Sequence, residues 1–163
     1  LGAQVVGPGE VDKRANAAAV AITAKMTVDD IANLDLCYAP PYSPAMDNLI
    51  TAANIARNKL DRVYQSITPA QVKAKIDRGD NFIFLDVRSQ QEYDAVHIEN
   101  TILIPLGQLR NRFSELPLDK EIITFCKISL RGYEAALILK AQGFSKVKVM
   151  DGGIMIWPYE KKI

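Results

Sequence analysis

Histidine and tryptophan each occur once in the 163 residues, and cysteine only twice. Cys37 and Cys126 lie far apart, which excludes a disulfide framework and a Cys-x-x-Cys metal knuckle. No metal ligand set is therefore expected, and a reducing compartment fits best. An excess of charge is also missing. Twenty Lys and Arg against nineteen Asp and Glu leave a net +1, too little to hold a polyanion by charge alone, so nucleic acid is not an expected partner. No run approaches the ~18 apolar residues of a membrane span, and no charged n-region with an apolar run and small-residue cleavage site opens the chain. The expected location is the cytoplasm, with no membrane partner. The chain begins Leu1-Gly2-Ala3 without methionine, as a piece of a longer protein would.

What is present is the composition of an ordinary globular chain, 48% hydrophobic and 24% charged, with enough apolar side chains for a core. It changes along the sequence. The first sixty residues are rich in alanine and hold only Tyr38 and Tyr42 as aromatics, whereas all other aromatics follow. Two units are expected, residues 1–62 and 67–163, joined near Asp61 to Ser66.

In the second unit Phe82 to Leu85, Thr101 to Ile104, Glu121 to Phe125 and Lys146 to Met150 are short apolar runs fit for buried strands. Helical segments lie between them. Thr68-Pro69 reads as an N-cap with proline in the first turn, and Gly79 stands where that helix stops. Leu137, Ile138 and Leu139 with Ala135 and Ala136 make a broad apolar face ending at Gly143. This alternation predicts an α/β fold, a mostly parallel sheet flanked by helices. The first unit reads as mainly helical. Ala3 to Val6 is expected as one strand, Asp12 as the cap of an Ala-rich helix to about Lys25, Thr27 and Asp30 as a capping box, and Ser43-Pro44 as the start of a helix to about Asn58.

In an open parallel sheet the ligand crevice lies beyond the carboxyl ends of the strands. The run Ile122 to Phe125 delivers Cys126 there, and Lys127-Ile128-Ser129-Leu130 forms a short loop before a helix begun by Arg131-Gly132. Loop N–H groups, a helix N-terminus and the cations Lys127 and Arg131 all favour a thiolate, a persulfide or an oxyanion at that place. An Arg at a helix start opposes the dipole, and an anion would explain it. The Cys-x4-Arg spacing makes a tighter ring than Cys-x5-Arg, which suits a tetrahedral phosphate; a cysteine phosphatase or arsenate reductase is disfavoured, and a single transferred sulfur atom fits better.

Phe84-Leu85-Asp86-Val87-Arg88-Ser89 with Glu92-Tyr93, then His97-Ile98, Ile104-Pro105-Leu106, Cys126 to Tyr133, and Asp151-Gly152-Gly153 with Trp157 fall in one order. Together they resemble the rhodanese family of sulfurtransferases over about Ile67 to Glu160. The resemblance implies a rhodanese-like fold in which Cys126 is the nucleophile that takes a sulfane sulfur as a persulfide and passes it to a thiol acceptor. It further implies that Lys127, Ile128, Ser129, Leu130 and Gly132 form the anion loop and that Arg131 stabilises the anionic donor. Two positions depart from the family pattern: Ser129, where Gly is frequent, and Glu99-Asn100-Thr101, where the family often has a residue followed by Gly-Ala.

The first unit carries a second resemblance. Gly2 to Gly7, Val11 to Arg14, Leu34-Asp35-Leu36-Cys37-Tyr38-Ala39-Pro40-Pro41-Tyr42-Ser43-Pro44-Ala45 and Ala52 to Asn54 are similar to the end of the dimerisation domain of pyridine nucleotide-disulfide oxidoreductases. Within that family the likeness is to coenzyme A-disulfide or persulfide reductases and related NADH oxidases, some of which end in a rhodanese domain. This implies a homodimeric parent using FAD, NAD(P)H and CoA, with Tyr38 or Tyr42 reaching the opposite subunit's site. The Gly-rich dinucleotide fingerprints are absent from these residues, so no cofactor is expected in this chain itself and the missing flavoprotein domains are its expected partners.

Other residues read as structural. Cys37 among Leu34, Leu36 and Tyr38 is expected as a small buried hydrophobe, His97 as a hydrogen-bonding residue, and Asp86 with Arg88 as an ion pair supporting loops near the crevice. The Tyr38 to Tyr42 stretch alone would read as a polyproline connector. A catalytically idle rhodanese-like interaction module is the competing function.

Overall fold

A computed structural model describes residues 1–163, and the chain divides into two units, Leu1–Val63 and Tyr64–Ile163. In the first, α1 (Val11–Thr23), α2 (Val28–Ala32) and α3 (Asn48–Leu60) bury Ala18, Ala21, Ile50 and Ala53. Thr27 and Asp30 form the expected reciprocal capping box of α2.

Five expectations for this unit fail. Ala3 to Val6 is not a strand but irregular chain, with no neighbouring strand to pair it. Asp12 is not the cap of α1; it lies in the first turn behind Glu10 at the cap position, where a carboxylate favours the helix dipole without bonding an N–H. The third helix starts at Asn48 rather than Ser43-Pro44, because the Asp47 carboxylate accepts from Leu49 N at 2.8 Å and outcompetes the upstream serine. Tyr38 to Tyr42 is no polyproline connector, since the chain turns there, with Tyr42 N donating to Ala39 O at 2.9 Å. Cys37 on this segment is exposed, not buried.

The second unit is an α/β domain on a five-stranded sheet, all of it parallel. Its strands β1 (Gln65–Ile67), β2 (Phe82–Asp86), β3 (Ile102–Leu103), β4 (Glu121–Phe125) and β5 (Val147–Met150) lie in the order β1-β5-β4-β2-β3. The period-two alternation of strands divides the apolar side chains between the faces. Leu85, Val87, Ile122, Val147 and Val149 meet Leu109 of α6 (Leu106–Arg112) and Ala135, Ala136 and Leu139 of α7 (Leu130–Ala141). Phe84, Ile123, Phe125 and Met150 face the other way, onto Val72 of α4 (Pro69–Asp77), Ile98 and Trp157. Thr68 caps α4 through a box with Gln71, with Pro69 in the first turn and Gly79 at φ +70° just past its end. A further helix, α5 (Gln90–Ala95), follows β2 and is opened by Ser89 and Glu92 in the same reciprocal arrangement.

β1 falls where the sequence suggested a linker. Its three residues are too short for periodicity to show, and pairing with β5 is what makes them a strand. No helix is long and apolar enough to cross a membrane.

Candidate active site

β4 is paired on both edges, with β2 on one side and β5 on the other, and Cys126 follows its last residue. Side-chain alternation carries the cysteine to the α6/α7 face, where it joins the core cluster of Leu85, Val87, Ile104 and Ala135. At 1% exposed it is buried against that core, although the sequence places it at a ligand crevice beyond the strand ends.

The loop is fixed at three places. At its far end the Thr124 hydroxyl lies 2.8 Å from Gly132 O and 3.2 Å from Lys148 O, tying the first turn of α7 to β4 and β5. Gly132 makes this approach feasible, because a Cβ there would come within 3.1 Å of Phe125 Cα. Midway, Ser129 adopts φ +89°, the left-handed conformation that makes glycine frequent at this position, and its hydroxyl donates to Met150 O at 2.9 Å. On its outer side Ile154 N donates to Cys126 O at 2.9 Å and Met155 N to Lys127 O at 3.2 Å. Gly153, at φ +59°, sits so close that a Cβ would lie 2.3 Å from Cys126 O. Because C=O and the following N–H are antiparallel across a planar peptide, the Lys127 and Ile128 N–H groups face away from that turn.

Around the thiol, Lys127, Ile128 and Leu130 are exposed, Ser129 and Arg131 half-buried and Gly132 buried. Arg131 does carry an anion against the helix dipole, but the anion is the protein's own. Its guanidinium donates to both carboxylate oxygens of Glu92, at 2.7 and 2.8 Å. That pair raises the arginine above its ordinary pKa, with a smaller contribution from the charge and hydrogen bond of Cys126. Glu92 is lowered to about 2, first by Arg131 and then by the Ser89 amide.

Asp86 and Arg88 form a buried ion pair. The Arg88 guanidinium donates to both Asp86 oxygens at 2.6 to 3.0 Å, and to the carbonyls of Glu92 at 3.1 Å and Val96 at 2.8 Å. His97 stacks on Tyr93 with its Nδ1 3.1 Å from Tyr93 O, and its backbone pairs with Lys162. Asn100 takes φ +61°, so asparagine occupies a left-handed position that it tolerates better than most residues. Tyr38 and Tyr42 are exposed on the first unit.

Sequence reasoning missed the role of Glu92. Serine followed three residues later by Glu signals a capping box, but nothing local signals a partner thirty-nine residues on.

The profile of the rhodanese-like domain matches residues 68–159. The chain belongs to the rhodanese family. Among curated rhodanese relatives, the probable adenylyltransferase/sulfurtransferase MoeZ of Mycobacterium tuberculosis is 34% identical over 94 residues, which is 56% of this chain and 24% of that protein. The putative sulfurtransferase YtwF of Bacillus subtilis is 31% identical over 98 residues, 60% of this chain and 94% of YtwF. Two solved structures extend the likeness beyond the rhodanese domain. The NAD-dependent persulfide reductase from A. fulgidus superposes with a TM-score of 0.80 and 47% identity over 93% of this chain, and Bacillus anthracis CoADR-RHD with 0.83 and 38% over 90%. This chain spans about a quarter of MoeZ and 26% of each of these two structures.

Proposed function

We propose that the rhodanese domain is a sulfurtransferase module in which Cys126 carries sulfane sulfur as a persulfide. The observation that carries this is the seating of Cys126 directly after the central strand, at the start of a short loop that runs into the N-terminus of α7 and Arg131. The thiolate attacks the terminal sulfur of a donor R–S–SH, the donor's S–S bond breaks, and RS– leaves and takes up the proton. An acceptor thiol then attacks the outer sulfur of the Cys126 persulfide, and Cys126 leaves as thiolate. Neither transfer is a net oxidation or reduction.

The parent we infer is a flavin-dependent CoA-disulfide, persulfide or polysulfide reductase, homodimeric, with FAD, NAD(P)H and CoA bound by domains outside this chain. Support comes from the first unit's sequence and from the two reductase structures, whose likeness covers it as well. Tyr38 or Tyr42 would then reach the opposite subunit's site.

Incubation with thiosulfate or polysulfide, followed by peptide mass mapping, is expected to place one sulfur on Cys126. Mapping matters because Cys37 is exposed. A Cys126→Ser variant that still gained sulfur elsewhere at the wild-type rate would overturn the assignment. A wild-type chain that gains none would leave the idle interaction module, which the burial of Cys126 favours. For the parent, two dinucleotide-binding fingerprints in the same reading frame are expected upstream.

A further inference from the structure

Glu92 is held from several sides. Its carboxylate takes both terminal nitrogens of Arg131 and also the Ser89 amide at 3.0 Å, while its own amide donates to the Ser89 hydroxyl at 3.2 Å. Its carbonyl accepts from Arg88, which is locked to Asp86. The acid therefore cannot swing aside and free Arg131 without undoing the start of α5. The guanidinium at the far end of the Cys126 loop is committed to a carboxylate before any donor arrives.

We propose that Glu92 is a positioning residue that sets the charge of the Cys126 cradle: by holding Arg131 in a two-bond ion pair it leaves the loop one cation short, so the site takes sulfur from neutral or singly charged sulfane donors in preference to dianionic thiosulfate. The charge count is simple. Lys127 and Arg131 supply two positive charges, Glu92 removes one and a Cys126 thiolate the other, so a dianion enters a site with no net positive charge left for it. Other titratable groups on the elements around the thiol are the Asp86–Arg88 pair after β2, Tyr64 and Tyr133 in and against the same core cluster, Asp151 after β5, Arg110 and Arg112 on α6, Glu134 and Lys140 on α7, and Glu121 and Lys148, paired with each other, on β4 and β5. Asp86 and Arg88 neutralise each other, burial raises the Tyr64 phenol above its ordinary pKa, and Asp151 adds no positive charge.

The donor preference rests on the sulfur-transfer reading, whereas the effect on the thiol does not. Both are tested in a Cys37→Ser background, so that Cys126 is the one thiol. Gln at position 92 can keep the capping box and removes only the charge. Glu92→Gln is expected to move the acid limb of the iodoacetamide rate profile to lower pH, with alkylation at pH 6 about threefold faster, equivalent to about half a pH unit, and unchanged at pH 9. Glu92→Asp, which restores the charge, is expected to return the profile towards wild type. Sulfur loading from thiosulfate, which releases sulfite, should rise at least about threefold relative to loading from N-acetylcysteamine hydropersulfide, which carries no charge outside its sulfur. A Glu92→Gln variant, folded by circular dichroism, whose rate profile and donor ratio match wild type would overturn the proposal. Failure of both donors to load the wild-type protein would overturn the donor preference and the sulfur-transfer reading together, while the alkylation profile would still decide whether Glu92 governs the thiol.

Discussion

The hydroxyl of Ser129 closes the cysteine loop onto β5 by donating to the carbonyl of Met150 at 2.9 Å. The same residue holds the left-handed backbone angle of the loop, at φ +89°, so it combines a strained backbone with a bond that glycine could not make. The left-handed conformation costs a non-glycine residue about 1 kcal/mol, and a hydrogen bond of this kind contributes about 1 kcal/mol.

These two effects separate two substitutions. Ser129→Gly relieves the strain and loses the bond, and is expected to leave stability within about 0.5 kcal/mol of wild type. Ser129→Ala keeps the strain and loses the bond, and should cost about 1 kcal/mol. Urea denaturation midpoints of both variants check this, and equal losses for the two would refute it.

Gly153 touches the loop from outside. Gly153→Ala adds a Cβ 2.3 Å from Cys126 O at a φ of +59°, against backbone that cannot yield like a flexible side chain. A loss of at least about 2 kcal/mol is expected. Because Ile154 N must then withdraw from Cys126 O, alkylation of Cys126 should also accelerate. A folded variant with wild-type stability and thiol reactivity would contradict the contact.

Asp86→Ala leaves the Arg88 charge buried without its carboxylate and is expected to cost about 3–5 kcal/mol. Replacing both residues, as in Asp86→Leu with Arg88→Met, should cost less than the two single changes summed, because no uncompensated charge remains. A double-mutant cycle in denaturant measures the difference.

The acid limb of stability depends in part on Glu92. Its pKa is lowered to about 2 in the folded chain, so it binds its proton more readily when unfolded. Its contribution is full above the ordinary carboxylate value of about 4.3 and is lost as pH falls towards 2. Stability of wild type relative to Glu92→Gln should therefore shrink between about pH 4.5 and 2 and be constant from pH 5 to 8. A difference independent of pH over the acid range would show that the ion pair does not couple to folding.

Much of the rhodanese domain is legible in the sequence because its information is local. Glu121 to Phe125 is an unbroken apolar-rich run between turns, and the structure ends β4 at the same residue. The position of Cys126 follows from that boundary. Residues whose state depends on distant partners are less legible. Gln65 to Ile67 becomes a strand through β5, and Arg131 finds its counter-ion in Glu92 across thirty-nine positions. In the first unit Pro44 suggested a helix start, but the carboxylate of Asp47 three residues on makes the better cap. Cys37 read as buried from its apolar neighbours, yet the segment forms neither helix nor strand to direct it inward.

The strand beneath Cys126 has a partner on each edge, while the loop above it hangs on a few side-chain and turn contacts. Amide hydrogens of such a central strand exchange with solvent only when nearly the whole domain opens, whereas loops exchange through small local fluctuations. Cys126 thus follows directly on a strand paired on both edges, whose amides are expected to exchange more slowly than those of the loop after it. Local opening at this site is therefore expected in the loop rather than in the strand that carries the cysteine.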